Sequence, residues 1–412
     1  MVRSKNENEI IFQSEMHITQ IRDVQEGINF LIDERGYDKI TLNFYNSEVV
    51  FAEFMVPLCS FAKKCIDDNV EFDLIIPKHY KAKSLFINCG WANIISPKKY
   101  KEKGYKIDKN IPATVFTEAS EQQYIVNSSI DSILCRSRDL LRSDLGALEW
   151  SINEICDNVL NHSQSSVGGI FQLNFRNHAQ EVEFIVSDAG IGIPDSLRSI
   201  HYHEWSDEYA LEESIKQGVT RDPEFGQGNG LFGTYQMAAL SGGTFHMNSG
   251  FAHLVHTRDG TVQVKKDDRK FSGSLVVCAI KFSTPNLLKK ALAFKGTDYS
   301  MTDFVELYYE QENGSIVFNM SEEAESLGNR RSGLEVRRKI NNLLRMSDTK
   351  KIYVEMSGVS IMSSSFADEV FGKLHREYGD DIFLTGIIIK NISDTSLMLI
   401  NKAIRQRKES GF

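Results

Sequence analysis

Three short segments in the middle of the chain constrain its fold more than any other feature. In chain order they are Glu154–His162 (EICDNVLNH), Asp188–Pro194 (DAGIGIP) and Gly226–Leu231 (GQGNGL). The first has the apolar spacing of a helix, the second ends an apolar strand in a glycine turn, and the third is a glycine loop that opens into a helix. Each has an ordinary structural explanation when it is taken alone, so the interpretation depends on their conjunction.

The composition is that of an ordinary globular protein. The 412 residues predict two or three domains, and 41% hydrophobic residues are ample for a core. A net charge of −9 disfavours broad binding to nucleic acid or to an anionic membrane and leaves a local basic patch open. The six cysteines form no CxxC pair, so we expect them to be reduced. No apolar run is long enough to span a membrane, and the N-terminus lacks an apolar signal sequence, so we expect a cytoplasmic protein.

The order of strands and helices divides the chain into three predicted domains. Residues 1–110 alternate strand and helix, which predicts a small parallel or mixed sheet covered by helices. Residues 111–285 place helices and antiparallel strands in separate runs, which favours an α/β sandwich with one helical layer. Residues 300–412 return to the βα rhythm. The predicted fold class is therefore α/β (α+β), with a central sandwich between two small βα domains.

Several elements of the last two domains are predicted individually. The helical pattern of residues 122–162 is broken near residues 142–144, and another helical piece covers Ser206–Gln217. Strands are expected at Thr261–Lys265, Ser274–Phe282, Lys351–Glu355 and Ile382–Ile388.

The helical segment carries a polar row. Glu154, Asn158 and His162 are one turn apart, so all three project from the same face. Such a row is usually a solvated face, but its chemistry here is specific. A carboxylate can orient or deprotonate a water molecule. The amide oxygen of Asn158 suits Mg²⁺, which prefers oxygen ligands and retains positions for substrate phosphates.

The strand segment and the glycine loop supply two further kinds of group. The carboxylate of Asp188 can accept a hydrogen bond from an exocyclic amine such as that of adenine, and Gly190 and Gly192 let the backbone approach a flat ring. A β-turn with a capping aspartate is the alternative. Converging amides of a glycine loop at a helix N-terminus can bind phosphate. The loop is not a Walker A motif, because no Gly-Lys-Ser/Thr follows, nor a dinucleotide fingerprint.

In this order the segments resemble the N, G1 and G2 boxes of the GHKL ATPase superfamily. That superfamily includes DNA gyrase, the ninety-kilodalton heat-shock chaperone, histidine kinases, MutL and the anti-sigma-factor serine kinases. The resemblance covers residues 144–282 and implies a site for ATP and Mg²⁺, with Glu154 as general base and Asn158 as metal ligand. Ser274 stands where a threonine is usual. The implied nucleotide contacts are Asp188, Gly190, Gly192, Ile193 and Ser274 toward adenine, and His162, Gly226, Gly228, Asn229, Gly230 and Leu231 toward the phosphates.

The resemblance also implies a lid over the nucleotide at residues 195–225. Lys216 and Arg221 are the lid cations nearest to the expected phosphates, and a solvated surface position is the alternative for each. His162 takes the place of a basic or amide residue that reaches a phosphate. Asn161 is an alternative for that role, and a neutral surface histidine is the other interpretation of His162.

The remainder of the chain indicates which branch of the superfamily it resembles most. No histidine lies between Thr117 and Glu154, which argues against a histidine autokinase. The region after Phe282 is too short, and has the wrong rhythm, for the transducer domain of the gyrase, MutL and chaperone branches. The anti-sigma serine kinases are closest in the size of the ATP-binding core.

The C-terminal region resembles the STAS fold (sulfate transporter and anti-sigma antagonist), in which a strand and loop present a serine at a helix N-terminus. Here the strand Lys351–Glu355 leads to Ser363, Ser364 and Ser365. In anti-sigma antagonists a GHKL kinase phosphorylates that serine, which makes Ser364 a candidate phosphoacceptor. Ser363 replaces the usual aspartate and Phe366 the usual glycine, and the alternative is that Ser363 or Ser364 only caps the helix. The N-terminal domain has a similar STAS-like rhythm.

These patterns lead to one main hypothesis and one alternative. We expect a Mg-ATP-binding regulatory protein of the GHKL type, an ATP-driven conformational switch with slow ATP hydrolysis or serine phosphoryl transfer. It would be an ATPase or a serine/threonine protein kinase, with a protein partner, and a homodimer. The alternative is a non-catalytic module that sequesters a protein partner through its STAS-like domains under nucleotide control. A clamp on DNA is disfavoured by the acidic balance, and no membrane partner is expected.

Overall fold

The structure of the chain is a computed structural model. It describes residues 2–3, 8–102, 110–136, 142–176, 180–199, 204–216, 230–282, 287–292, 309, 311, 315–324, 326–346, 351–359 and 361–409. These residues form a mixed α and β protein with several sheets, which confirms the predicted α+β class.

The elements are numbered in chain order. The strands of the described residues are β1 (Val2–Arg3), β2 (Glu9–Ile11), β3 (Glu15–Met16), β4 (Lys39–Asn43), β5 (Val49–Val50), β6 (Glu71–Ile75), β7 (Ile111–Phe116), β8 (Gly169–Arg176), β9 (Glu181–Asp188), β10 (Thr244–His256), β11 (Val262–Lys281), β12 (Ile316–Asn319), β13 (Ile352–Glu355) and β14 (Ile387–Lys390). The helices are α1 (Ile21–Asn29), α2 (Ala52–Asp67), α3 (Tyr80–Asn88), α4 (Trp91–Ile95), α5 (Ala119–Arg136), α6 (Arg142–His162), α7 (Ile193–Arg198), α8 (Asp207–Ser214), α9 (Gly230–Ser241), α10 (Leu287–Ala291), α11 (Met320–Glu323), α12 (Arg330–Met346), α13 (Ser364–Ala367), α14 (Lys373–Gly386) and α15 (Asp394–Glu409).

The chain divides into two compact units. The first comprises residues 1–129 and 146–301, and the second comprises residues 130–145 and 302–412. Helices α5 and α6 therefore each contribute to both units. The predicted domain limits, 1–110, 111–285 and 300–412, stay predictions.

A mixed sheet of order β1-β2-β4-β6 forms the N-terminal part of the first unit. Strands β2, β4 and β6 are parallel, and β1 pairs antiparallel with β2. Helix α2 covers this region with a buried apolar face that includes Phe54, Leu58 and Phe61. The alternating strands and helices of the sequence thus form the small mixed sheet that their rhythm predicts.

The central sheet of the first unit is antiparallel, with the order β10-β11-β9-β8-β7. Strand β9 lies in the middle and is buried along almost its whole length. Its last residue, Asp188, pairs with Gly169 of β8 on one side and with Ser274 of β11 on the other. The end of β9 is therefore enclosed by two neighbouring strands, and this enclosure buries the carboxyl group at the predicted site.

Helices cover both faces of the central sheet. Helix α9 contacts β10 and β11, and helices α1 and α2 also contact the sheet. Ile185 and Val277 share one core cluster with residues of the N-terminal region, whereas their strand neighbours Phe184 and Cys278 are buried outside that cluster. Because successive side chains of a strand point to opposite faces, the two sets face different layers. The sequence predicts one helical layer, and the N-terminal helices add a second.

One strand replaces two that the sequence predicts. The separate strands expected at Thr261–Lys265 and Ser274–Phe282 are joined in β11, which runs from Val262 to Lys281 and pairs with β10 on both sides of an irregular stretch. Within the polar stretch between the predicted strands, residues 267–270 have no partner in β10, and Arg22 of α1 instead contacts Asp267 and the Arg269 carbonyl. The register of β10 and β11 shifts on both sides of Gly250, which creates a β-bulge.

The second unit contains a parallel sheet of order β12-β13-β14. The strand predicted at Ile382–Ile388 is wrong in its position, since residues up to Gly386 continue helix α14 and the strand is Ile387–Lys390. A short apolar run does not distinguish a buried helical turn from a strand, which explains the error. Helix α14 has a local break at Gly379, whose φ is +75°.

Two composition-based expectations concern cysteines and membranes. All six cysteines are free, and Cys59, Cys65, Cys156 and Cys278 are buried. Burial raises the pKa of each of these four thiols. In the part of the chain that the structure describes, we find no helix with the length and apolar character needed to cross a bilayer.

Candidate functional site

Helix α6 presents the polar row that its sequence predicts. Ile155 and Val159 are buried, whereas Glu154, Asn158 and His162 are half-buried. The apolar residues hold the helix in the core of the first unit, and the 3.6-residue period then leaves the polar row at its margin. The row is therefore partly sheltered from water, unlike a solvated helix face.

The environment of Glu154 changes the acidity of its side chain. Burial and, to a smaller extent, the charge of Asp157 raise the pKa of the Glu154 carboxyl to about 7. Removing a carboxylate from water disfavours its charged form, and a like charge one turn away acts in the same direction. A carboxyl group with a pKa near neutrality is suited to accept and release a proton.

The N-terminus of helix α9 lies against this row. A β-carbon placed on Gly230 would be 2.6 Å from Oε2 of Glu154 and 3.6 Å from Nδ2 of Asn158. Only a residue without a side chain leaves this space open, so glycine at position 230 allows the close approach. Leu231 follows, partly buried. The fold thus brings the first segment into contact with the end of the third, whereas Gly226, Gly228 and Asn229 lie outside the described residues.

Asp188 ends strand β9 as a buried carboxyl group. Its side chain is 4% exposed, and burial raises its pKa to about 6, against the lowering effect of hydrogen bonds from Gly190 and Ser274. The Gly190 amide donates to Oδ1 of Asp188 at 2.8 Å. Ser187 donates from Oγ to the Ser274 carbonyl at 2.8 Å, which ties the two strand ends together.

The loop after Asp188 closes on the end of helix α6. The Ile191 amide donates to the Ser163 carbonyl at 2.9 Å. A β-carbon on Gly190 would be 2.0 Å from the same oxygen, which excludes any side chain there. Gly192, which directly precedes helix α7, has a φ of +86°, a conformation that favours glycine. Both glycines of the second segment are thus required by close packing and backbone conformation.

Helix α6 consequently connects all three predicted segments. Its middle, at Glu154 and Asn158, approaches Gly230, and its end, at Ser163, bonds to the loop that contains Gly190. His162 lies at that same end, and its carbonyl lies 3.5 Å from Oγ of Ser196 in α7.

The described part of the predicted lid contains helices α7 and α8. Arg198 joins them, because it pairs with Asp195 in its own helix and with Asp207 in α8, each at 2.5 Å. Lys216 pairs with Glu212 and Glu213 at the end of α8, so its charge is already engaged there. Arg221 lies outside the described residues.

Sequence reasoning missed two residues that hold this region together. Oγ of Ser249 accepts a hydrogen bond from the Ile193 amide at 2.9 Å, and Oδ2 of Asp207 accepts one from the Phe251 amide at 2.6 Å. Each joins positions that are distant in the chain, so no local pattern could have indicated it. Asp157 was visible as a second carboxylate one turn from Glu154, and that spacing was a usable signal.

Three groups of this site are of the kinds that contact a nucleotide and its Mg²⁺. The buried carboxyl group of Asp188 is a suitable acceptor for the adenine amine, and the space left by the missing side chain of Gly230 suits a phosphate. The amide oxygen of Asn158 is a suitable ligand for Mg²⁺. Among the described residues, no group of three or more His, Cys, Asp or Glu side chains could hold a metal ion.

Comparison with known protein families matches residues 332–397 to a STAS-like domain of unknown function (DUF4325). The C-terminal part of the chain is STAS-like. The match includes β13, α13 and β14 of the STAS-like domain, in agreement with the resemblance of its strand and serine loop. The same comparison detects no GHKL ATPase domain. No curated protein matches the chain.

The serines of the STAS-like domain have different environments. Ser363 caps helix α13, since its Oγ accepts a hydrogen bond from the Phe366 amide at 3.1 Å. It also lies 3.0 Å from Oγ of Ser365. Ser364, the candidate phosphoacceptor, is exposed. The capping function therefore belongs to Ser363, and the hydroxyl of Ser364 is accessible from solvent.

Proposed function

We propose that the central region binds Mg-ATP in the manner of GHKL ATPases and that the chain is an ATP-driven regulatory switch. The observation that carries this proposal is the convergence of the three segments on helix α6, with Gly230 against Glu154 and Asn158 and with the Gly190 loop bonded to Ser163. Isolated glycine loops and polar helix faces are common, but here they meet on one helix that also carries a carboxyl group with a raised pKa, which supports a functional site.

Each residue has a role in this proposal. Asp188 would accept a hydrogen bond from the adenine amine, with Gly190, Gly192, Ile193 and Ser274 around the ring. Asn158 would contribute an oxygen to Mg²⁺, which prefers such ligands and takes the rest from phosphates and water. The phosphates would be held by His162, Gly226, Gly228, Asn229, Gly230 and Leu231.

Glu154 is the residue to which we assign proton transfer. A bound Mg-ATP would supply the phosphoanhydride bond and the charge neutralisation that phosphoryl transfer needs. Oε2 of Glu154 would orient the attacking hydroxyl or water and accept its proton. The raised pKa of this carboxyl leaves a substantial part of it ionised at neutral pH, which is the form that accepts a proton.

The release of ADP from Mg-ATP by the purified full chain tests this function. Glu154→Gln keeps the size of the side chain and removes its basicity, so we expect ATP binding to be retained and turnover to fall by about 10²- to 10⁴-fold. Glu34→Gln changes an exposed carboxylate in the N-terminal region in the same way and should leave both unchanged. Turnover in Glu154→Gln equal to that of the wild type would refute the assignment.

A second function is favoured by the STAS-like match. The chain could be a non-catalytic module that sequesters a protein partner through its STAS-like domain under nucleotide control. In that case the wild type would bind ATP with no turnover above that of Glu154→Gln. Both functions include a protein partner and a homodimer. They differ in the fate of the γ-phosphate, which an enzyme releases or transfers and a binding module leaves on the nucleotide.

A further inference from the structure

Arg22, in the first turn of helix α1, is only 6% exposed. A guanidinium is seldom buried without partners, and this one has several on the β10–β11 pair. It donates to the carbonyl oxygens of Gly250 at 2.5 Å, Ala252 at 2.8 Å and Arg269 at 2.9 Å. It also forms an ion pair with Oδ2 of Asp267 at 2.7 Å. Arg22 is thus a buried side chain that fastens the N-terminal region to the central sheet.

The carbonyls of Gly250 and Ala252 belong to an irregular part of the sheet, and that of Arg269 lies opposite them in β11. The extra residues of the bulge, 267–270 and 272–273, are in β11, and we name the segment of β10 that faces them, residues 249–252, the β10 bulge. The register of β10 and β11 shifts on both sides of Gly250, whose φ is +57°. A bulge leaves backbone groups outside the regular ladder of hydrogen bonds. Arg22 supplies donors to two carbonyls of the β10 bulge, and so it fixes the conformation of this irregular segment.

The same bulge holds two elements of the candidate nucleotide site. Ser249 accepts a hydrogen bond from the Ile193 amide, directly after Gly192, and its Oγ donates to the Gly273 carbonyl at 2.8 Å. The Phe251 amide donates to Asp207 at the start of helix α8, in the predicted lid. Ser249 and Phe251 of the β10 bulge therefore contact the Ile193 loop and helix α8, while the carbonyls of Gly250 and Ala252 accept hydrogen bonds from Arg22.

We propose that Arg22 is a positioning residue through which the N-terminal region sets the ATP affinity of the central site. It would act by holding the β10 bulge in the conformation that anchors the Ile193 loop and helix α8. This inference rests on the proposed ATP-binding function and adds a regulatory input to it. A change in the N-terminal region that displaces Arg22 would loosen both anchors, and ATP binding would, by reciprocity, stabilise the Arg22 contacts.

The first test compares Arg22→Met with a matched variant of the same helix. Gln25 also joins α1 to β11, with hydrogen bonds to both backbone groups of Ser272 at 3.4 and 3.1 Å, but its described hydrogen bonds do not reach residues 249–252 of β10, which carry the contacts to Ile193 and Asp207. We expect Arg22→Met to raise the KM for ATP by about 5- to 10-fold with kcat little changed, within the usual range of coupling between sites. Gln25→Leu should leave both parameters near those of the wild type.

Arg22→Lys keeps the charge and loses the planar fork, so it should give an intermediate KM. It also serves as the second variant if Arg22→Met does not fold. Equal effects of Gln25→Leu and Arg22→Met would overturn the inference, because they would indicate a general loss of packing. An unchanged KM in both Arg22 variants would overturn it as well.

Hydrogen exchange without nucleotide separates this inference from the proposed function. In Arg22→Met, or in Arg22→Lys if that variant is used, the amides of Ile193 and Phe251 should exchange at least several-fold faster than in the wild type and in Gln25→Leu. If the wild type does not bind ATP, the proposed function fails, and the role of Arg22 in ATP affinity fails with it. The exchange result is independent of ATP and still decides whether Arg22 holds the β10 bulge. Unchanged exchange in a protein that binds ATP would refute the Arg22 mechanism alone.

Discussion

At the scale of single residues, burial determines the chemistry of Glu154. A free glutamate has a pKa near 4.5 and would be a weak base at neutral pH, whereas burial raises the pKa of this carboxyl to about 7. The neighbouring carboxylate of Asp157 acts in the same direction. The ionised form of Glu154 is the proton acceptor in the proposed mechanism, and the fraction of Glu154 in this form increases as pH rises through its pKa.

The first prediction follows from this increase of the ionised fraction of Glu154 with pH. The rate of ADP release should rise with pH along a limb centred near the pKa of Glu154, about 7. Asp157→Asn removes the neighbouring negative charge and should move the limb to lower pH. Initial rates measured between about pH 5.5 and 8.5 test both statements. A pH-independent rate across this interval would contradict the assignment of Glu154.

A second prediction concerns Gly230. In Gly230→Ala the new methyl group would lie 2.6 Å from Oε2 of Glu154, so the carboxyl must move. A displacement of this kind should lower ADP release by about 10²-fold. Alanine stabilises a helix interior by about 1 kcal/mol relative to glycine, and since Gly230 is only the first residue of α9, stability should change little.

Gly328→Ala is the matched control for Gly230→Ala. A β-carbon on Gly328 has only Oγ of Ser326 nearby, at 3.5 Å, which is an ordinary contact. Rates of ADP release and urea unfolding curves would be measured for both variants. Normal turnover in Gly230→Ala would show that the space at Gly230 does not matter for Glu154.

At the scale of elements, the two adjacent serines at the start of helix α13 differ in what they can do: one caps the helix, and the other is accessible for phosphorylation. Ser363 caps the helix and Ser364 is exposed. Ser363→Ala should therefore cost about 1 kcal/mol of unfolding free energy, because the Phe366 amide loses its acceptor. Ser364→Ala should change stability by less than about 0.5 kcal/mol, as is usual for exposed positions.

Urea unfolding and mass spectrometry test this pair of variants. If the chain transfers the phosphoryl group to its own STAS-like domain, the peptide containing Ser363–Ser365 gains phosphate after incubation with Mg-ATP, and Ser364→Ala loses it. An unmodified peptide in a preparation that turns over ATP would refute transfer to Ser364. Equal destabilisation by the two substitutions would refute the assignment of the cap.

Elements with strong local periodicity were predictable from sequence. The apolar spacing of α6 and the alternation of strands and helices in the N-terminal region both appear in the structure. Strand β11 and the segment before β14 were not predictable in the same way. A polar stretch continued strand β11 with contacts to Arg22 and Gln25 of α1, and an apolar run became part of helix α14. In both cases tertiary contacts overrode local preference.

At the scale of the whole molecule, the candidate site belongs to a unit whose core extends into the N-terminal region. Ile185 and Val277 of the central sheet share one core cluster with Phe54 of α2, and Trp91 donates a buried hydrogen bond to Gln172 at 2.8 Å. Trp91 is thus a core residue. A ligand that binds the site should stabilise this entire unit.

The last prediction concerns the stabilisation of the folded chain by a bound ligand. Mg-ATP at about 100 times its Kd should stabilise the folded chain by about 2.7 kcal/mol, which raises the melting temperature by a few degrees. Asp188→Asn removes the charged acceptor for adenine and should reduce this shift, whereas Asp38→Asn, an exposed position, should not. Thermal unfolding with and without Mg-ATP measures the effect. The same shift in wild type and Asp188→Asn would contradict the adenine-binding role.

The amino-acid sequence by itself determined the local chemistry of this protein. It specified a helix with Glu154 and Asn158 on one face, a strand that ends at Asp188 and the glycines at positions 190, 192 and 230, because helix and strand periods are properties of consecutive residues. Only the tertiary structure decided that Gly230 lies against Glu154, that Ser249 and Asp207 bond to the Ile193 and Phe251 amides, and that Arg22 fastens the N-terminal region to the β10 bulge. Burial and long-range pairing depend on the whole fold, and for that reason the pKa of Glu154 and the buried contacts of Arg22 could not be derived from local pattern.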